Sequence, residues 1–322
     1  MTFRARVVIL GSAFLLLLAA LVLGAVFSPR GTEQRAAEAL MFPGVKASAV
    51  RRVEVADPGS RIVLQKGSAW TLELAGSSFP ASQERADALV RSVVSLNRGT
   101  LISRRLQDPA SLGFGSQSEK RLTFFGAAGE VLCELSAGKQ ASSGRGSYLR
   151  AGQAPEVWLT GDALTPYLTT ARSFWADLRV LPQDVSSPAV MRLSISSRSG
   201  KQFAWTVMRE ADAQHRQKWV LAGRTVTAIK QEKVDALVNA VTGLAGADFL
   251  TGVPDRAAFL SPSAVVVISL TDNRSFSILF GARQADGTFP CMQEQGQYVY
   301  AVPDWRLREI LVGEEALTPG SP

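Results

Sequence analysis

The chain has 322 residues, is 46% hydrophobic and carries a formal net charge of +7, with an isoelectric point near 9.7. That length and composition suit one large or two ordinary globular cores and exclude a largely disordered chain. The basic residues are scattered as singles and pairs such as Arg51-Arg52 and Arg104-Arg105. With no zinc-finger spacing, RNA-binding signature or helical basic stripe, they read as a solvated basic surface and exclude nucleic acid as the partner.

From Val7 to Phe27 no residue is charged. About 21 residues at about 1.5 Å rise each span roughly 30 Å, the thickness of a bilayer's hydrocarbon core. A cleaved signal peptide has a shorter apolar stretch and a small-residue site; Leu23-Gly24-Ala25 is the best candidate and a poor one. Residues 1–30 are therefore read as a cytoplasmic stub and a membrane-spanning helix, with Arg4 and Arg6 ahead of the uncharged span keeping the N-terminus in the cytoplasm. The rest of the chain is then expected outside the inner membrane, in a periplasm or its equivalent. Cys133 and Cys291 would sit in that oxidising space, but each lies in a strand-like apolar run, at non-corresponding places, so buried free thiols are expected rather than a disulfide.

A linker, residues 31–47, closes through Phe42-Pro43-Gly44, and a first unit follows over 48–180. It opens with Val50-Arg51-Arg52-Val53-Glu54-Val55, whose alternation predicts a half-buried strand, followed by strands at Ile62-Val63-Leu64 and Trp70-Thr71-Leu72-Glu73-Leu74. The period then becomes helical in Glu84-Arg85-Ala86-Asp87-Ala88-Leu89-Val90. After the helix come Leu122-Thr123-Phe124-Phe125 and Val131-Leu132-Cys133-Glu134-Leu135, joined by Gly126-Ala127-Ala128-Gly129, then Gly138, a strand with Val157-Trp158, and a terminal helix containing Tyr167, Leu168, Phe174, Trp175 and Leu178.

The same order recurs over 181–315. Val190-Met191-Arg192-Leu193-Ser194-Ile195, Phe203-Ala204-Trp205-Thr206-Val207 and Trp219-Val220-Leu221 precede a second helix, Glu232-Lys233-Val234-Asp235-Ala236-Leu237-Val238. Val265-Val266-Val267-Ile268 and Phe276-Ser277-Ile278-Leu279-Phe280 follow, then Gly281, Val299-Tyr300 and a helix from Trp305 to Leu311, before a polar tail, 316–322. Hairpins with one inserted and one appended helix predict an α+β unit with an antiparallel sheet. The fold expected is thus an N-terminal transmembrane helix followed by a tandem duplication of that unit.

The repeated pairs Glu84/Asp87 and Glu232/Asp235 lie three apart on a helix face and invite a catalytic or cation-binding reading. Acids in a helix's first turn are favoured by its dipole, and no further ligands accompany them, so they are expected to be structural. His215 is the one histidine, in the polar stretch Asp212 to Gln217, and predicts a solvated hairpin tip. There is no Gly-x-Ser-x-Gly elbow, Cys-x-x-Cys pair, phosphate loop or GxGxxG turn. No catalytic, cofactor-binding or metal residue and no cofactor is assigned. Of Trp70, Trp158, Trp175, Trp205, Trp219 and Trp305, the repeat-equivalent strand tryptophans are expected in the core.

Several short stretches carry a resemblance: Leu40-Met41-Phe42-Pro43-Gly44, Val50-x-Arg52-Val53-x-Val55, Trp70, Phe79-Pro80-Ala81, Leu112-Gly113-Phe114, Gly138, Tyr148-Leu149-Arg150 and Val157. In these the chain resembles the bacterial domain-of-unknown-function 4340 family, departing from it at Ser82, where an aspartate is expected and serine can still cap the helix. The resemblance implies a membrane-anchored, extracytoplasmic companion of ABC-type export or gliding-motility-type systems, and no catalytic residues. The expected function is a non-catalytic binding or scaffolding subunit of a transporter-like assembly, partnered by a membrane permease or ATPase. The alternatives are an enzyme acting on cell-envelope polymers, which needs paired acids in one cleft, and a lipid- or glycan-binding module, which needs an apolar pocket.

Overall fold

The computed structural model describes residues 14–18, 39–105, 107–115, 118–198, 203–212, 214–223, 228–250 and 259–319. Most of the apolar segment Val7–Phe27 lies outside the described residues; within it, residues 14–18 are helical. Among the described residues no helix is long and apolar enough to cross a membrane. The chain divides into two compact units, Met1–Glu73 with Ala81–Trp175, and Leu74–Pro80 with Ala176–Pro322.

In chain order the first half forms β1 (Arg52–Ala56), β2 (Arg61–Lys66), β3 (Trp70–Leu74), β4 (Ser77–Pro80), α1 (Gln83–Val94), β5 (Thr100–Ser103), β6 (Lys120–Phe125), β7 (Val131–Gln140), β8 (Ser147–Ala151), β9 (Val157–Thr160) and the short α2 (Arg172–Trp175). The second half forms β10 (Val190–Ser197), β11 (Phe203–Ala211), β12 (Gln217–Leu221), α3 (Gln231–Thr242), β13 (Asp248–Phe249), β14 (Ala264–Leu270), β15 (Ser275–Phe280), β16 (Thr288–Gln293), β17 (Tyr300–Pro303) and α4 (Asp304–Ile310).

Each half builds one antiparallel sheet. The first runs β3-β2-β1-β6-β7-β8-β9-β5, with β4 beyond β3, and the second runs β12-β11-β10-β14-β15-β16-β17-β13. Replacing each strand by its counterpart converts one order into the other, so the predicted duplication is present in the topology. The registers agree as well: Val53 faces Leu64 and Phe124 across β1, and Leu193 faces Val207 and Ile268 across β10.

The strand alternation read from sequence sets the core. Val53 and Val55 point inward with Leu64, Leu72, Leu122, Phe124 and Leu135, all buried. In α1 the inward stripe is Ala86, Leu89, Val90 and Val93. In α3 it is Val234, Leu237, Val238 and Val241, the same spacing.

Both units also close in the same way. Before each first strand the chain pairs with the residues after the helix: Leu40 bridges Asn97, and Arg179 bridges Ala245. The flanking bonds are Met41 N–H to Leu96 C=O at 2.7 Å and Val180 N–H to Leu244 C=O at 3.0 Å. At the far end, the residue capping each helix donates its N–H to a buried terminal residue, Ser82 to Trp175 at 2.7 Å and Lys230 to Leu317 at 2.8 Å.

Some elements differ from the sequence expectation. The strands β5, β8, β13 and β16 carry no clean alternation; β16 holds Pro290 and buries three successive residues, Pro290, Cys291 and Met292. The single helix expected from Tyr167 to Leu178 is instead a 3-10 turn, Asp162–Tyr167, with Pro166 inside it, followed by the four-residue α2. Cys133 and Cys291 are buried free thiols, and burial pushes the Cys133 thiol up to about 12.

Candidate functional site

The repeated acidic residues divide into two roles. Glu84 and Glu232 are exposed in the first turns of α1 and α3, where the helix dipole favours them. Asp87 and Asp235 are one turn further on, and each accepts a hydrogen bond from a tryptophan indole: Trp70 Nε1 to Asp87 Oδ1 at 2.8 Å, and Trp219 Nε1 to Asp235 Oδ1 at 2.8 Å.

A glutamine one turn earlier completes each latch. Gln83 accepts from the Trp70 backbone N–H at 2.6 Å and donates to the Trp70 carbonyl at 2.9 Å. Gln231 does the same with Trp219, at 2.7 and 2.9 Å. The pairing fixes β3 in the first sheet and the edge strand β12 in the second to their helices by imitating one rung of a β-ladder. A cation covers each indole: Lys66 lies 5.0 Å from the Trp70 ring and Arg209 lies 4.7 Å from the Trp219 ring, at register-equivalent places. The Trp70 indole holds the Asp87 carboxyl below the usual range, and Lys66, at 3.1 Å, adds to that against the opposing effect of burial. These acids therefore serve as indole acceptors.

A second cluster gathers residues that lie far apart in sequence. The loop Leu112-Gly113-Phe114 rests on Gly138 of β7. A Cβ on Gly138 would stand 2.2 Å from the Leu112 carbonyl oxygen, and one on Gly113 would stand 2.4 Å from the Lys139 nitrogen. Gly113 also has φ 82°, the left-handed region that glycine tolerates. Phe114 is buried under this loop, with the Arg150 guanidinium 5.5 Å from its ring.

Beside them Glu119 accepts from the Gly115 N–H at 2.6 Å. Burial pushes its carboxyl up, but the Gly115 N–H, the nearby Ser136 hydroxyl, Arg121 and Arg150 outweigh this and hold it below the usual range. Glu119 Oε1, Ser136 Oγ and Arg150 Nε are buried without a hydrogen-bond partner, and Ser136 is only 1% exposed. The Ser136 hydroxyl thus sits within electrostatic reach of the carboxylate without closing a bond to it.

The outward faces of the two sheets differ at matching positions. In the first unit Glu54, Arg61, Arg121 and Glu134 form a charge lattice, with Arg61 to Glu54 at 3.5 Å and Arg121 to Glu134 at 3.4 Å. Their counterparts by register in the second unit are Ser194, Ala204, Val265 and Ser277. That face carries an open groove of about 480 Å³ lined by Ser194, Ser196, Ala204, Thr206, Val265 and Val267, with Ser194 and Thr206 hydroxyls 2.9 Å apart.

His215 sits at the tip of the β11–β12 hairpin with φ 59°, exposed, where Asp212 accepts from the Gln214 and Arg216 N–H groups. Trp70, Trp158, Trp175, Trp205 and Trp219 are buried, whereas Trp305 is exposed with Arg306 stacked on it. Among the described residues no group of three or more His, Cys, Asp or Glu side chains is placed to hold a metal ion.

The sequence profile of one family, described as "Domain of unknown function (DUF4340)", matches residues 70–264, more than half of the chain. The chain belongs to this domain-of-unknown-function 4340 family. The family match begins at Trp70, so it takes in both Trp-Gln-Asp latches and the cluster at Leu112–Phe114, Gly138 and Arg150. Leu40–Gly44, Val50–Val55 and the apolar N-terminal segment lie outside the matched residues.

One relative, an "Uncharacterized protein" of Treponema pallidum (strain Nichols), is 24% identical over 135 residues, 42% of this chain and 43% of that protein. The chain therefore matches less than half the length of that curated relative. No solved structure matches the chain.

Proposed function

We propose that this member of the 4340 family is a membrane-anchored, extracytoplasmic binding or scaffolding subunit of a transporter-like, ABC-type envelope assembly, and that it works without catalysing a reaction. The N-terminal apolar segment supports the anchor. The observation that carries the binding role is the difference between the two sheet faces. Charge is depleted at the centres of protein interfaces, because each buried ion would lose its hydration. The first unit covers its face with paired Arg and Glu, whereas the second replaces these with Ser, Ala and Val at the same registers. A partner can cover the groove of Ser, Ala, Thr and Val on this face without desolvating an ion.

The test is in-cell photo-crosslinking from a reactive residue placed at Ser196, in the groove, and at Arg61, its neighbour-row counterpart in the first unit, followed by mass spectrometry of native membranes. Capture of an integral permease or its ATPase from Ser196, and not from Arg61, is the expected result. Recovery of the chain only as an uncrosslinked monomer from both positions would reject the proposal.

A further inference from the structure

We infer that the end of the first unit where the chain enters it is a lipid-contacting surface that lies against the bilayer headgroups. This inference rests on the anchor reading above and adds an orientation for the first unit to it.

The observations concern one end of one sheet. The entering segment, residues 40–46, the β6–β7 hairpin and the start of β1 all meet there, since the Arg51 N–H donates to the Phe125 carbonyl at 2.8 Å and Phe125 pairs with Val131. The surface they form is mostly apolar. Phe42, Pro43, Val45, Ala49 and Leu132 line an open groove of about 460 Å³. Leu40 is 40% and Val131 57% exposed, two of the few large apolar side chains in the described part of the chain left in this state. The hairpin tip adds exposed Ala127 and Ala128, together with one exposed acid, Glu130, whose carboxylate accepts from the Ala128 N–H at 2.9 Å. Lys46 and Arg51 flank the patch and are exposed, with the Arg51 guanidinium held by the Ser48 and Val50 carbonyls rather than by an acid.

Chain length selects the occupant. The uncharged segment ends at Phe27 and the described first unit begins at residue 39, so residues 28–38 join them. About 11 residues reach at most roughly 40 Å even when fully extended. The patch is therefore tethered close to whatever surface the apolar segment enters. An apolar surface rimmed by cations matches the interfacial zone of a bilayer, where aliphatic side chains enter the acyl boundary and Lys and Arg meet anionic headgroups.

The test uses the full chain reconstituted into vesicles of equal parts phosphatidylcholine and phosphatidylglycerol. A spin label is attached at Val131→Cys or at Ser143→Cys, the latter in the turn after β7, at the other end of that ten-residue strand and roughly 30 Å away. The native cysteines are buried, so the introduced thiol is the one that reacts. The label at position 131 should be more accessible to oxygen than to an aqueous nickel chelate, and the label at 143 the reverse.

In a second variant pair, adding Val131→Glu to a label at Ala128→Cys should raise nickel accessibility there several-fold. Equal aqueous exposure at 131 and 143 in a chain that resists alkaline extraction from the vesicles would overturn the lipid contact while leaving the anchor intact. A chain released by alkaline extraction would overturn the anchor and the contact together.

Discussion

Trp70 and Trp219 are almost fully buried, 1% and 3% exposed, and each carries an indole N–H that has left water on folding. An unbonded donor in that position costs about 1–3 kcal/mol, which is what Asp87 and Asp235 prevent. Asp87→Ala and Asp235→Ala should each lower stability to denaturant by about 1–3 kcal/mol, while Glu84→Ala, whose role is confined to the helix dipole, should cost no more than about 1 kcal/mol. Equal losses from Glu84→Ala and Asp87→Ala would reject this division of roles.

The pH dependence has a defined sign. The Asp87 carboxyl is held below its usual range, so its contribution is full above the unfolded carboxylate value, near about 3.9, and fades as pH falls through the lower folded value. The gap between the wild type and Asp87→Ala should accordingly close in acid. The acids were legible as a repeat, and so were the tryptophans, but their bond was not: 17 and 16 residues separate the partners, which sit on a strand and a helix with different periods. Gln83 and Gln231 stand immediately before the repeated Glu, and their recurrence at that place was the available signal.

Among the elements, the strands that alternate cleanly were readable and those held by a neighbouring loop were not. β1 and β14 bury every second residue, and β10 does so from Leu193 to Ser197, as their sequences indicate. β8 and β16 pair with the strands next to them in the chain but carry no regular alternation of polar and apolar residues, and Ser136 of β7 is buried on the outward face because the loop containing Phe114 and Glu119 covers it, which no strand period encodes. Two glycines make that cover possible. Gly138→Ala would drive a methyl into the Leu112 carbonyl, a contact that backbone must move to relieve, so a loss of about 1–3 kcal/mol or more is expected.

Gly129→Ala supplies the comparison. Its φ, 82°, is left-handed, unlike that of Gly138, but nothing lies within 4 Å of the added methyl, so it should cost only about 1 kcal/mol of backbone strain and no clash. Amide exchange should speed up at residues 112–114 in Gly138→Ala and remain unchanged there in Gly129→Ala. Similar exchange at 112–114 in both variants would show that the close approach does not hold the loop.

For the whole molecule, duplication gives each unit a sheet, a helix and a closing segment of its own. The Leu89 and Leu237 side chains occupy equivalent places, 0% and 2% exposed, among core residues from their own unit. Truncating either to alanine removes the transfer free energy of a buried leucine and leaves a cavity, together about 2–5 kcal/mol. Because the closing bonds repeat within each unit, Trp175 to Ser82 in one and Leu317 to Lys230 in the other, the loss should be felt inside the unit that carries it. Hydrogen exchange read peptide by peptide is the measurement. Leu89→Ala should weaken protection in β1–β3 and β6–β9 and leave β10–β12 and β14–β17 unchanged, and Leu237→Ala should do the reverse. A matching loss across all seventeen described strands from either substitution would mean that the two units fold as one cooperative body, so that the repeat is an architectural motif without being an independent unit of stability.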